Sequence, residues 1–106
     1  MKKDELETIL EELSIEIEKA LGIIEDVQMR TGINIHARTR KRSVVEVRHI
    51  AMWLVSRNTR LKLIDITRIF NMKSHASIKH SIAFVDDMIA TNRGFREKYV
   101  ELLGCS

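Results

Sequence analysis

Residues 62–82 constrain the fold more than any other stretch of this chain. Leu63, Ile66, Ile69 and Phe70 recur at helical spacing, a short polar turn follows, and a second helix then opens on small, polar and basic side chains. A helix pair that only built a core would have no reason to gather Lys73, Ser74, His75, Ser77, Lys79 and His80 at one end. Two helices, a tight turn and a polar leading edge are the layout of a helix-turn-helix. In that motif the second helix lays its N-terminal residues against base edges in the major groove. The expectation is a small reader of duplex DNA.

The rest of the chain points to an all-α class. No proline and only four glycines interrupt the 106 residues, and 44% of them are apolar, enough for one domain plus at most an appendage. No apolar run approaches the roughly 18 residues needed to span a membrane. The start, Met1-Lys2-Lys3-Asp4-Glu5-Leu6-Glu7, lacks the apolar stretch of a signal peptide. The single cysteine, Cys105, forms no intrachain disulfide and has no activating neighbour in sequence. It reads as incidental, and the expected compartment is a reducing cytoplasm.

The net charge of +3 conceals a strong asymmetry: residues 1–30 carry −5, residues 31–82 carry +9 and residues 83–106 carry −1. The central block is the electrostatic footprint of a polyanion binder, although charge alone also describes a solvated basic surface.

Residues 3–30 place Leu6, Leu10, Leu13, Ile17, Ala20, Ile24 and Val27 in an alternating four-three heptad stripe, with the acids mostly off it. This predicts one long acidic helix that either pairs with a second copy or folds back on the core. Gly22 weakens it and could bend it. Thr31-Gly32 should end it, and Ile33 and Ile35 should anchor a loop leading to Arg38-Thr39-Arg40-Lys41-Arg42. Ser43, with Glu46 three residues on, predicts a capping box opening a second helix that runs to about Arg57. Val44, Val45, Val47 and the run from Ile50 to Val55 leave that helix apolar nearly all round, which marks it as central and buried. Ser74 is a good N-cap for the fourth helix, whose core stripe is Ile78, Ile82, Val85 and Ile89. Ala76, Ser77, His80 and Ala83 then face outward, flanked by His75 and Lys79. Phe84 also faces outward and needs a cover, for which the last helix, about 93–103 with Gly104 as its stop, is the candidate.

From about residue 31 to 103 the chain resembles the C-terminal DNA-binding domain of the bacterial chromosomal replication initiator, DnaA. The family signature runs roughly Gly-Arg-Asp-His-Thr-Thr-Val-x-His-Ala. The matching stretch here is Met72-Lys73-Ser74-His75-Ala76-Ser77-Ile78-Lys79-His80-Ser81, which shares two histidines at fixed offset, a hydroxyl at Ser77 and β-branched Ile78. Arg48-His49-Ile50-Ala51-Met52 is a second, independent point of agreement. The resemblance implies that the turn and helix start enter the major groove, with His75, Ala76 and Ser77 nearest the bases. It places Arg40 at the position of the family's minor-groove arginine, with Arg38 and Arg42 beside it. Arg48 falls at a major-groove arginine position, and His49 and Lys79 are further candidates for base or backbone contact. Arginine suits guanine O6/N7 or a narrow minor groove, and a helix N-terminus suits phosphate.

Three departures point to an altered or relaxed target. Lys73 replaces an arginine and loses the bidentate fork. Ser74 replaces an aspartate and keeps the cap without the carboxylate. Ala76 replaces a threonine, leaving a methyl that can touch thymine. No Gly-x-x-x-x-Gly-Lys-[Ser/Thr] motif occurs, so no ATPase module is expected. The chain resembles a detached DNA-binding module with an acidic extension, of the kind a phage or mobile element would carry.

Other chemistry finds no support. His75 and His80 are five apart, His36 and His49 lie on different elements, and no cysteine or acid cluster completes a metal set. His80 has two open readings, a DNA contact or a hydrogen-bonded helix histidine. Asp86-Asp87 and Glu11-Glu12 are adjacent and point to different helix faces, so neither forms an acid/base pair. No serine or cysteine sits in a nucleophile motif.

The expected molecule is therefore an all-α helix-turn-helix bundle of about five helices with a long acidic N-terminal helix. Residues 1–30 would be the extension and 31–106 the DNA-binding domain. The predicted DNA-binding residues are Arg38, Arg40, Arg42, Arg48, His49, Lys73, Ser74, His75, Ala76, Ser77 and Lys79. No catalytic residue, metal, cofactor, nucleotide or membrane partner is expected. Residues 3–30 would serve a homodimer or a partner protein, or mask the basic face. A protein-interaction module acting through that acidic helix is the alternative function.

Overall fold

A computed structural model describes residues 2–104 as a helical bundle about 52 Å long and 26 Å across. Among the described residues there are six helices and no strand: α1 (Lys3–Thr31), α2 (Arg42–Asn58), α3 (Leu63–Ile69), α4 (His75–Thr91), α5 (Arg93–Lys98) and α6 (Val100–Leu103). Cys105 lies outside the described residues.

α2 is the axis of the bundle, packed against α1, α3, α4 and α6. Its run from Ile50 to Val55 is buried without interruption, as a helix apolar on all sides must be. The Trp53 indole N–H donates to the Asp86 carboxylate at 2.8 Å, tying α2 to α4. The Arg57 guanidinium sits 4.7 Å above the Trp53 ring. α1 packs on this body mainly with its C-terminal half, through buried Ala20, Ile24 and Val27. The helix continues unbroken through Gly22. It ends at Gly32, whose φ of 68° lets its N–H reach back to the Gln28 carbonyl at 2.8 Å.

Two local expectations are corrected. Ser43 does not cap α2. The helix begins at Arg42 with Lys41 as N-cap and no side-chain cap bond. Glu46 instead turns inward, where its carboxylate accepts the Tyr99 hydroxyl at 2.8 Å and faces Arg42 and Lys98, each at 3.6 Å. A buried carboxylate is better satisfied by a phenol and two cations than by one backbone N–H. Burial, then this hydrogen bond, push the Tyr99 phenol well above its ordinary pKa.

The second correction concerns the single helix expected over 93–103, which breaks at Tyr99 (φ −112°, ψ 21°) into α5 and α6. The kink turns the Tyr99 ring in toward Glu46. Asn92 ends α4 and caps α5, its side chain accepting the Phe95 N–H at 2.9 Å. Gly104 follows α6 with φ −70°, so the left-handed freedom of glycine is not used there. Phe84 is covered as the sequence requires. Phe95 of α5 stands edge-on at 6.2 Å, and His49 packs on it at 5.0 Å.

Candidate nucleic-acid interface

The turn between α3 and α4 is built by backbone geometry. Asn71 adopts a left-handed conformation, φ 52°. The Met72 N–H donates to the Thr67 carbonyl at 2.9 Å and the Asn71 N–H to the Arg68 carbonyl at 3.2 Å. These are the paired bonds of a Schellman turn, which reverses the chain in few residues. Ser74 then caps α4, its hydroxyl accepting the Ser77 N–H at 3.4 Å and lying 3.3 Å from the Ser77 hydroxyl. With Ile78 buried below, the first turns present His75, Ala76, Lys79 and His80 to solvent and leave Ser77 half-buried. The helix therefore starts with an exposed, small and basic edge.

The loop before α2 is held from beneath. Ile35 is fully buried and serves as the anchor expected of it. The Asn34 side chain accepts the His36 N–H at 3.0 Å, and the Thr39 hydroxyl accepts the Lys41 N–H at 3.2 Å. The main restraint comes from Arg48, thirteen residues beyond Ile35. Its Nε donates to the Ile35 carbonyl at 2.7 Å and its Nη2 to the Ala37 carbonyl at 2.6 Å. The planar fork of arginine fits two carbonyls of one loop, which lysine cannot do. Arg38, Arg40 and Lys41 stay exposed on the loop so held.

The loop and the turn face each other across a cleft of about 820 Å³. Its walls carry Arg38, Arg40 and Arg48 on one side and Asn71, Met72 and Lys73 on the other. Four cations from three separate segments thus line one concavity, a surface suited to a polyanion. His36 also lines it, its ring 6.4 Å from Phe70. Neither Asn71 nor His36 stands out as a site residue in the sequence. An asparagine directly after an apolar helix is a recognised C-terminal stop, and that signal would have located Asn71.

Two of the candidate residues lie elsewhere. Arg42 belongs to the first turn of α2, pairs with Glu46 and borders α5 instead of the cleft. His49 is half-buried at the seam of α2 and α4, between Phe84 at 5.0 Å and His80 at 6.4 Å. Its buried Nδ1 has no hydrogen-bond partner among the described residues. Burial, then the charges of His80 and Arg48, hold its pKa below the ordinary histidine value, so the neutral ring is favoured. Lys79 stays with the exposed edge of α4. Among the described residues no three His, Cys, Asp or Glu side chains gather within reach of a metal ion. None of the described helices is long and apolar enough to cross a membrane.

Residues 22–85 match the family model described as the bacterial dnaA protein helix-turn-helix. The chain is 33% identical over 67 residues to the chromosomal replication initiator protein DnaA of Flavobacterium psychrophilum, covering 63% of this chain and 14% of that protein. The protein of the same name from Bacteroides fragilis is 34% identical over 62 residues, 58% of this chain and 13% of its own length. That of the Wolbachia strain of Brugia malayi is 29% identical over 87 residues, 82% of this chain and 18% of its own. The chain therefore spans less than a fifth of the length of these curated relatives. No solved structure matches it significantly.

Proposed function

The chain belongs to the bacterial DnaA helix-turn-helix family, and from that membership we propose that it binds double-stranded DNA with two adjacent grips. The first is the arginine loop, in which Arg40 enters the minor groove and Arg38 and Lys41 neutralise phosphates. The second is the start of α4, where His75, Ala76 and Ser77 meet base edges in the major groove, Ser74 holds the helix start in place, and Lys73 and Lys79 reach bases or backbone. Arg48 has donors to spare beyond the two spent on the loop, and it joins the grips from the floor of the cleft. His49 and Arg42 play supporting roles, packing in the α2–α4 seam and pairing with Glu46.

The observation that carries this reading is the cleft itself, which brings Arg38, Arg40, Arg48 and Lys73 together beside the exposed first turn of α4. Such spacing of a loop from a helix start suits one duplex face, the loop reaching one groove while the helix occupies its neighbour. We assign the DNA-binding module to residues from Ala20 onward, because the second half of α1 shares its core; residues 3–17 are the extension. The expected process is control of replication initiation, or of transcription near a related site.

Beside the family signature, Lys73, Ser74 and Ala76 each offer a weaker base contact, and a good one is worth about 1–3 kcal/mol of discrimination. The target should therefore be related to the relatives' site but read less strictly. Selection of bound duplexes from a random pool, followed by a salt titration of the best one, tests this. Five or six phosphate contacts give a slope of log affinity against log salt of roughly −5. Failure of the folded protein to retain any duplex in dilute buffer would refute it.

A further inference from the structure

The first half of α1 carries apolar surface that the rest of the domain leaves uncovered. Leu6, Ile9 and Leu10 are 47%, 45% and 55% exposed, and Leu13 and Ile17 extend the same face at partial burial. At the helical repeat these five side chains form one stripe. Glu7, Glu11 and Glu18 border one edge of it, and Glu5, Glu12 and Glu16 the other. The stripe continues directly into Ala20, Ile24 and Val27, which pack on α2. The body of the domain ends beside Glu16, whose carboxylate accepts the backbone N–H of Arg60 at 3.2 Å. Before that point the stripe faces solvent between two rows of glutamates.

The charges decide which occupant fits. Residues 2–18 hold seven acids and two bases, −5 for each copy. Two copies laid together would concentrate these charges along a short seam. Each copy offers only five apolar side chains, two of them already partly buried, so the hydrophobic gain has that like-charge repulsion working against it. An anionic membrane or a nucleic acid is repelled by the same glutamates. A helix with its own apolar stripe and flanking lysines or arginines buries the same surface and turns both acidic rims into attractive ones.

We propose that residues 3–17 are a docking surface for a basic amphipathic helix of a partner protein. The complex is small, fast to form and sensitive to salt. It occupies a surface separate from the arginine loop, so it stands or falls independently of DNA binding.

Fluorescence anisotropy with the full chain tests this against three synthetic peptides of about four helical turns. The first has leucines at heptad spacing flanked by lysines, the second is the same composition shuffled, and the third replaces the lysines with glutamates. The first peptide should bind at least about tenfold more tightly than either control. That advantage should vanish in the Leu6→Ser/Leu10→Ser variant while its DNA affinity and helical content hold. Replacing Glu7, Glu11 and Glu12 with lysine should shift preference to the third peptide. Equal binding of the first two peptides would mean diffuse charge attraction and overturn the proposal, as would no binding at all. Sedimentation showing a wild-type dimer that the double serine variant dissolves would assign the stripe to a second copy and overturn it equally.

Discussion

The two basic surfaces at the cleft, the loop that lines it and the α4 start beside it, are held by different means. The start of α4 is fixed locally. Ser74 caps it, Asn71 makes the turn, and every bond involved joins residues at most five positions apart. The loop at 36–41 has short bonds of its own to Asn34 and Thr39, but it is tied to the body from a distance, by Arg48 reaching back eleven to thirteen residues. A locally fixed surface keeps its shape whenever its helix forms. A remotely tied one loses its hold on the body when the tying side chain is cut, and the two should respond differently to substitution.

Arg48→Ala provides the widest separation. Removing both loop bonds, each between a charged donor and a carbonyl and worth about 1.5–3 kcal/mol, should free the loop. DNA affinity should fall by one to two orders of magnitude, and amide exchange should quicken at residues 36–41 but not at 74–78. Arg48→Lys should rescue little, because one ammonium cannot serve both carbonyls in the same plane. A double-mutant cycle with Arg40→Ala sharpens the point, since a loop organised by Arg48 makes the two losses strongly non-additive. Strict additivity would break the contrast.

Arg40→Ala alone should cost about tenfold in affinity and flatten the salt slope by about one contact. Arg42→Ala, on α2 and paired with Glu46, should leave that slope unchanged, although both residues lie in the same basic run. The locally fixed surface is probed by Asn71→Val, which forces a β-branched residue into the left-handed region. It should destabilise the domain by about 1–2 kcal/mol in urea unfolding, while Asn71→Gly should be neutral or slightly stabilising.

The same division explains what could be read from the chain before its structure. The Ser74 cap, the Gly32 stop, the buried run from Ile50 to Val55 and the outward Phe84 all depend on short-range periodicity and capping chemistry, and all are present. The resemblance to the DnaA family identified the helix-turn-helix that the family model matches. Apart from Asn71, whose local signal went unread, what escaped was set by partners far along the chain. Glu46 reads as a capping residue until Tyr99, fifty-three residues away, supplies a better bond. The last helix breaks because Tyr99 turns inward to make it. Arg48 reads as a groove arginine, and nothing in its neighbours reveals that Ile35 and Ala37 hold two of its donors. The acidic helix reads equally as dimer seam or core element. The fold divides it at about Ala20, with core on one side and an open stripe on the other.

His49 gives the smallest effect, at the seam where the α4 start meets the body. Its folded pKa lies below the ordinary value, mainly through burial, with His80 and Arg48 adding repulsion and Glu46 opposing them. The unfolded chain therefore binds the proton more readily. Stability conferred by the neutral ring is fully present above the unfolded pKa of about 6.5 and is lost as pH falls below it toward the lower folded value. Urea titrations between neutral and mildly acidic pH should show this decline in the wild type. His49→Phe keeps an aromatic ring against Phe84 and carries no proton, so it should flatten the decline. DNA binding at neutral pH should change little, because the ring faces the seam and not the cleft. A His49→Phe protein with the wild-type pH profile would place the titrating group elsewhere. A large loss of DNA affinity in the same variant would return His49 to the DNA-contacting surface, and the line between supporting and contacting residues would then have to move.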